Sequence, residues 1–377
     1  MEFDNALRRQ VFSLPELLRT QYEDLEPKVR KIMTTPELFS VQRIVLTGCG
    51  DSYAASMATK HAFEALTGIP TEVVPAIELS RFYAASQLGF APRNPLVIAV
   101  SNSGKVTRVC EAMERAVSKG AFALAFTGNL NSPLAQRSTR ALKLDVPPFE
   151  SAPGTRSYMV SVLALLLFAI RLGEVRGRYT MDTAMAYRYA IRDLADDLEE
   201  KLPGMDASIL ETAKAWTEME AFDFVGAGPD YAAAWFGHAK VYEAIGKYAM
   251  HINTEEWLHL NFFMRNVERI ATVVVHSDGS AALSRTQEML KYMQEMGRPA
   301  IVITDAAEQL PITQAKVVEV PKPKYPMLAP LVQFAPICLL AGYLLVLLGE
   351  EDGRGCKGPW AFCAGGRALQ ESKVELI

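Results

Sequence analysis

The chain has 377 residues, half of them hydrophobic and 22% charged, a composition that fits a folded protein of about two domains. Its 39 Lys and Arg stand against 43 Asp and Glu, a net charge of −4 with no basic stripe, which argues against a nucleic-acid partner held through its phosphates. Five cysteines, at 49, 110, 338, 356 and 363, form no CxxC pair, so neither a metal ribbon nor a disulfide framework is expected.

At the N-terminus, MEFDNALRRQ places charge where a signal peptide needs an apolar core, so a cytoplasmic location is expected. Residues 4–33 read as a helical arm within an N-terminal segment, 1–39. Short β-branched runs and helix-length segments then alternate: strand 43–47, helix 52–66, strand 72–74, helix 77–86, strand 96–101, helix 105–119, strand 122–126, helix 131–138, strand 141–144 and helix 156–172. Such alternation predicts a parallel sheet covered by helices on both faces, an α/β doubly wound domain over 40–178. Helices near 180–202 and 206–219 bridge to a second domain, 220–377. There, residues 328–349 (LAPLVQFAPICLLAGYLLVLLG) carry no charge and are long enough to span a bilayer. Pro330, Gln333 and Pro336 interrupt the run, and Glu350, Glu351 and Asp352 follow it. It reads as a buried core helix, as does Met159–Ile170, and no membrane is expected.

The second domain repeats the first. GCGDSYAA (48–55) and GAGPDYAA (226–233) both read GxGxxYAA, 178 positions apart, and each follows a β-type run. LVIAVSNSG (96–104) pairs with ATVVVHSDG (271–279), and FALAFTG (122–128) with AIVITDA (300–306), at nearly the same offset. The chain is therefore expected to be two tandem α/β domains of one kind, related by duplication.

Open parallel sheets bind ligands beyond the carboxyl ends of their strands, at the switch point of strand order. Two loops of the first copy end there: Gly48-Cys49-Gly50-Asp51-Ser52 and Ser101-Asn102-Ser103-Gly104. Both carry hydroxyls and both open a helix, which suits a phosphate cradle. Either alone reads as ordinary N-capping; two converging on one switch point favour the cradle. The GxGxxY turn lacks the third glycine of a dinucleotide fingerprint, so no cofactor is expected. The second copy has His276-Ser277-Asp278 where the first has Ser101-Asn102-Ser103, and its carboxylate would repel phosphate. One phosphate site is expected, in the first copy. The second instead carries Lys240 and Glu243 on one helix face, then His259 beside Glu255, Glu256 and Trp257. Taken singly, these read as a solvated helical ion pair and an ordinary histidine.

Together, the repeated unit, the GCGDSY turn and the SNSG loop resemble the SIS (sugar isomerase) domain. The tandem layout over residues 40 to 377 is similar to the isomerase half of glucosamine-6-phosphate synthase and to the fructosamine-6-phosphate deglycases. The resemblance implies that Ser52, Ser101, Asn102 and Ser103 hold a sugar phosphate. This chain has Gly104-Lys105-Val106 where the family often has Gly-Glu-Thr, so the hydroxyl lost at Val106 passes to Thr107 as substitute. It further implies that Lys240 and Glu243 match the family's Lys-x-x-Glu, with Glu243 moving a proton between sugar C1 and C2. His259, sixteen residues on, matches the ring-opening histidine lent by a neighbouring subunit, which implies a homodimer with shared active sites. Leu260-Asn261 replace the family's Gly-Pro after that histidine. In the tail RALQESKVELI, either Lys373 or Glu371 falls where the synthase has its carbonyl-reactive lysine, and lysine suits that chemistry. Residues 353–366 read as a loop over the site.

The chain opens Met1-Glu2-Phe3 without the synthase's glutaminase cysteine, so no glutaminase activity is expected. The expected substrate is an amino-sugar or fructosamine 6-phosphate, with deglycase or deaminase chemistry ahead of aldose–ketose isomerisation. The alternative is a non-catalytic regulator that binds a sugar phosphate.

Overall fold

The structure, a computed structural model, describes residues 3–89, 94–311, 315–351, 353–354 and 369–376. The N-terminal segment forms α1 (Ala6–Phe12), α2 (Leu14–Lys31) and α3 (Thr35–Ser40). The first domain follows as β1 (Arg43–Thr47), α4 (Asp51–Thr67), β2 (Thr71–Val73), β3 (Pro95–Val100), α5 (Thr107–Ser118), β4 (Phe122–Thr127), α6 (Pro133–Gln136), β5 (Arg140–Lys143) and α7 (Arg156–Val175). Helix α8 (Met181–Ala215) leads to β6 (Ala221–Val225), α9 (Tyr231–Ile245), β7 (Tyr248–Ile252), α10 (Thr254–Leu260), β8 (Ile270–His276), α11 (Leu283–Glu295), β9 (Ala300–Thr304), β10 (Lys316–Glu319) and α12 (Ala335–Leu347).

Both sheets are five-stranded and parallel in every pairing, ordered β2-β1-β3-β4-β5 and β10-β9-β8-β6-β7. Counted within its own sheet, each order is 2-1-3-4-5, so the α/β topology is the same twice. The central strands are largely apolar because helices cover both faces: PLVIAV of β3 and IATVVVH of β8 are buried at every position, Thr272 and His276 included. Beneath α5, Val109, Ala112, Met113 and Ala116 pack on Val97, Ala99, Ala123 and Ala125. In the other sheet Met289, Leu290 and Met293 of α11 pack on Val225, Val274 and Val302.

The chain folds as two units, one of residues 17–148, 156–192 and 369–376 around the first sheet, the other of residues 3–16, 149–155 and 193–354 around the second. Among the described residues two helices, α7 and the segment Pro326–Leu347, are long and apolar enough to cross a membrane, but 83% and 89% of their apolar windows are buried inside the protein. They are core helices by packing.

Three expected elements differ. The two bridging helices are one, α8, which runs through Pro203 without ending. The helix expected at 77–86 is a π-helical turn, Glu78–Phe82, followed by a 3₁₀ turn. The buried Arg115 guanidinium donates to the carbonyls of Leu79 (2.9 Å) and Tyr83 (2.7 Å), satisfying groups that a continuing helix would have used. The helix expected at 131–138 is the single turn α6, which begins at Pro133 behind the capping Ser132.

Candidate active site

The turn after β1 is shaped by its glycines. A Cβ on Gly48 would lie 2.8 Å from the Ser52 carbonyl carbon, so only glycine lets α4 start this close to the strand. Gly50 takes φ +58°, and its counterpart Gly228 takes φ +57°, the left-handed region that glycine enters at little cost. The repeated GxG is therefore one backbone shape used twice. In the first copy it leaves Ser52 half-buried in the first turn of α4.

The loop after β3 is held just as tightly. Ser101 is buried; its N–H donates to the Phe126 carbonyl at 2.9 Å, and its Oγ accepts from the Gly104 N–H at 3.2 Å. Ser103 Oγ accepts from the Lys105 N–H at 3.3 Å. Each of these hydroxyls is fixed through its oxygen, which leaves its own O–H to donate to an anion. Asn102, Ser103 and Lys105 line a cavity of about 360 Å³ with Gly128, Asn129, Leu144, Asp145 and Val146. Helix α5 opens at Thr107, two residues later than expected, and the Thr107 Oγ1 is buried with no hydrogen-bond partner among the described residues. The cavity follows β3, β4 and β5 and the Asp145 carboxylate lines it with Asn102, Ser103 and Lys105, while Ser52 on α4 and Thr107 on α5 stand at the starts of the helices that leave β1 and β3.

The second sheet has its own cavity of about 420 Å³ beside the GxG turn, lined by Gly228, Tyr231, Asn253, Thr254, Glu255 and Arg285, but its loop after β8 is bonded internally. Asp230, the counterpart of Ser52, is buried and accepts from the Ser277 N–H (3.1 Å), the Ser277 hydroxyl and Gln333 Nε2 (2.8 Å). Burial pushes its carboxyl up to about 6, against the lowering effect of those donors. Asp278 is held below the usual carboxylate range by Lys322 at 2.8 Å and by Gln309. Internal partners thus occupy the groups that correspond to Ser52 and to the 101–103 loop of the first sheet. Sequence reasoning singled out Asp278 but missed Asp230, although the 178-residue offset sets it opposite Ser52.

Lys240 and Glu243 lie one turn apart on α9, which Gly237 brings hard against Phe224 of β6. Their Nζ–Oε2 distance is 2.5 Å. The lysine side chain is 0% exposed, 4.7 Å over the Phe236 ring, while Glu243 is 41% exposed. A solvated surface pair does not describe this: an ammonium has been taken wholly out of water and set against a carboxylate that meets solvent. His259 stands on α10, 68% exposed, and pairs with Glu255 at 3.4 Å. The Leu260-Asn261 departure has a structural account, since Asn261 is buried and donates to Asp223 at 2.6 Å; Asp223 is also paired with buried Arg298. Lys373 is 82% exposed and pairs with Glu375 at 3.1 Å. Nearly all of the loop expected over the site, 353–366, lies outside the described residues, with Cys356 and Cys363 in it. Among the described residues no group of three or more His, Cys, Asp or Glu is placed to hold a metal ion.

Residues 37–171 match the SIS domain family model. The chain is 25% identical over 317 residues to the glutamine–fructose-6-phosphate aminotransferase (isomerizing) of Thermus thermophilus, which covers 82% of this chain and 50% of the relative. The chain thus spans about half the length of the curated relatives it matches at greatest coverage. Among solved structures, the C-terminal domain of the Francisella tularensis glucosamine-fructose-6-phosphate aminotransferase superposes with a TM-score of 0.82 at 17% identity, covering 93% of this chain and 98% of that one. The glucosamine-6-phosphate deaminase of Thermotoga maritima superposes at 0.67 with 16% identity, over 92% and 96% of the two chains.

Proposed function

We propose, from the premise that this chain belongs to the SIS family, that it is a cytoplasmic phosphosugar enzyme acting on an amino-sugar or fructosamine 6-phosphate. The observation that carries the reading is the asymmetry of two like loops: Asn102, Ser103 and Lys105 face a cavity after β3, whereas Ser277, in the matching loop after β8, is bonded to Asp230 and Gln333. In this reading Ser52, Ser101, Asn102, Ser103 and Thr107 hold the 6-phosphate, whose binding energy is remote from the reacting carbons. Glu243 moves the proton between C1 and C2 through an enediol or enamine, and buried Lys240 holds that carboxylate in place at 2.5 Å. His259 opens the ring as an acid–base, and its high exposure in one chain supports its serving the partner's site in a homodimer. Lys373 meets the sugar carbonyl.

Deglycase or deaminase chemistry leads, with aldose–ketose isomerisation next, because all three need the same C1–C2 proton transfer. A screen of ketosamine and amino-sugar 6-phosphates, read by release of hexose phosphate, amine or ammonia, tests the reading. One observation favours a regulator that binds without turnover: His259 pairs with Glu255 within the chain. Saturable binding with no product from any 6-phosphosugar would establish that alternative. A mixed dimer of Glu243→Gln and His259→Asn chains tests the shared site, since partial recovery requires the two residues to act across subunits.

A further inference from the structure

Glu111 of α5 is a carboxylate with 0% side-chain exposure, one turn from the start of that helix. Such a group must be surrounded by donors. Arg81 donates Nε and Nη2 to its two oxygens, at 2.9 and 3.3 Å, and Arg108 donates Nη1 at 2.5 Å. A further donor comes from 264 positions away: the Glu375 N–H, 2.7 Å from Oε2. The same two arginines hold other parts of the tail. Arg81 pairs with the Glu375 carboxylate at 3.2 Å, and Arg108 donates to Ser372 Oγ at 3.2 Å and to the Lys373 carbonyl. Burial alone would raise the Glu111 carboxyl, but the Arg81 hydrogen bonds and the Glu375 N–H outweigh it and keep the group ionised.

Arg108 follows Thr107, the last residue of the cradle, and lies five residues from Ser103, so its backbone is within about 18 Å of that serine. The tail contacts therefore tie the Lys373 backbone to the first turn of α5, the helix that follows the phosphate loop, while its ammonium stays 82% exposed.

We propose that Glu111, with Arg81 and Arg108, is a positioning residue: a latch that ties the C-terminal tail to the first turns of α5 and so presents Lys373 to a sugar whose phosphate sits in the cradle. Its kinetic consequence rests on the proposed function; its structural consequence does not. Two variants of the full chain test it. Glu111→Gln weakens the carboxylate from the helix side, and Glu375→Pro removes the donating N–H from the tail side without touching the core. Hydrogen exchange of the C-terminal peptide should show the Glu375 amide losing protection in Glu111→Gln. With a turned-over 6-phosphosugar, each variant should lower kcat by roughly 10–100-fold with KM within about twofold, because the cradle is intact and only the tail is displaced. The double variant should be no worse than the more affected single one. A Glu375 amide still protected in Glu111→Gln, full kcat in Glu375→Pro, or additive losses in the double variant would each overturn the latch. If Glu111→Gln does not fold, Glu375→Pro decides by its kcat and by the exchange of the remaining tail amides. If no 6-phosphosugar is turned over by the wild type, the proposed function fails, and the exchange result judges the latch by itself.

Discussion

Changing Glu243 to Gln and, separately, Lys240 to Met should give opposite patterns of stability and turnover, because the two partners differ so much in exposure. Losing one partner of a fully buried ion pair costs about 3–5 kcal/mol, whereas an exposed pair is worth about 0–1 kcal/mol. Glu243→Gln removes the carboxylate charge from an ammonium that is 0% exposed, but Gln keeps an oxygen that can accept from it, and the site is 41% open on the acidic side. A cost of about 1–2 kcal/mol follows, which in a chain of this size lowers Tm by roughly 1–3 °C. Lys240→Met replaces the buried ammonium with an apolar chain beside Phe236 and leaves a carboxylate that water can solvate, so its stability should change by less than about 1 kcal/mol. In turnover the order of severity reverses the bland expectation for an ion pair. Removing the proton acceptor should lower kcat by about 10²–10⁴-fold with KM little altered. Denaturant unfolding and steady-state kinetics on the same preparations supply both readouts. Full kcat in Glu243→Gln would remove Glu243 from the mechanism. A Lys240→Met chain less stable than Glu243→Gln would refute the burial argument itself.

Other outcomes follow from the same geometry. Ser103→Ala should raise KM for a 6-phosphosugar and abolish protection of the chain by inorganic phosphate in thermal unfolding, an effect that a capping role would not produce. Gly104→Ala should cost about 1–3 kcal/mol in denaturant unfolding and weaken phosphate binding with it, since Gly104 has φ +63° and a Cβ there would lie 2.2 Å from Ser132 Oγ. Asp230 titrates near 6 in the folded chain against 3.8 as its ordinary value, so it contributes stability below pH 4 that is lost as pH rises to about 6, roughly 3 kcal/mol in all. Asp230→Asn removes that contribution; the difference in unfolding free energy between wild type and variant should therefore change across pH 4–6 and level off above, and a flat difference would contradict the raised pKa.

Much of the architecture was legible from local pattern. Strand 43–47 is where the β-branched run placed it, and the paired GxG turns come out with matching left-handed glycines, because a turn that needs φ > 0 writes itself into the sequence as glycine. The reading of 328–349 as core also survives, as the burial of α12 shows. Elements governed by distant partners were not legible in the same way. Helix α8 passes Pro203, and the turn at Glu78–Phe82 stops where Arg115, more than thirty residues on, takes its carbonyls.

For the candidate site the same division holds. Spacing along the chain alone placed Lys240 one turn from Glu243 and set hydroxyls at the two loops of one switch point, since helical periodicity and strand alternation are properties of neighbours in sequence. Depth of burial is not such a property. That Lys240 is sealed from water, that Asp230 is claimed by Ser277 and by Gln333 across 103 positions, and that Glu111 receives a backbone N–H from 264 positions away were settled only when the chain folded back on itself. The dielectric around a charge, and hence whether it is an ornament of the surface or a group held for use, is set by whatever the tertiary structure packs over it.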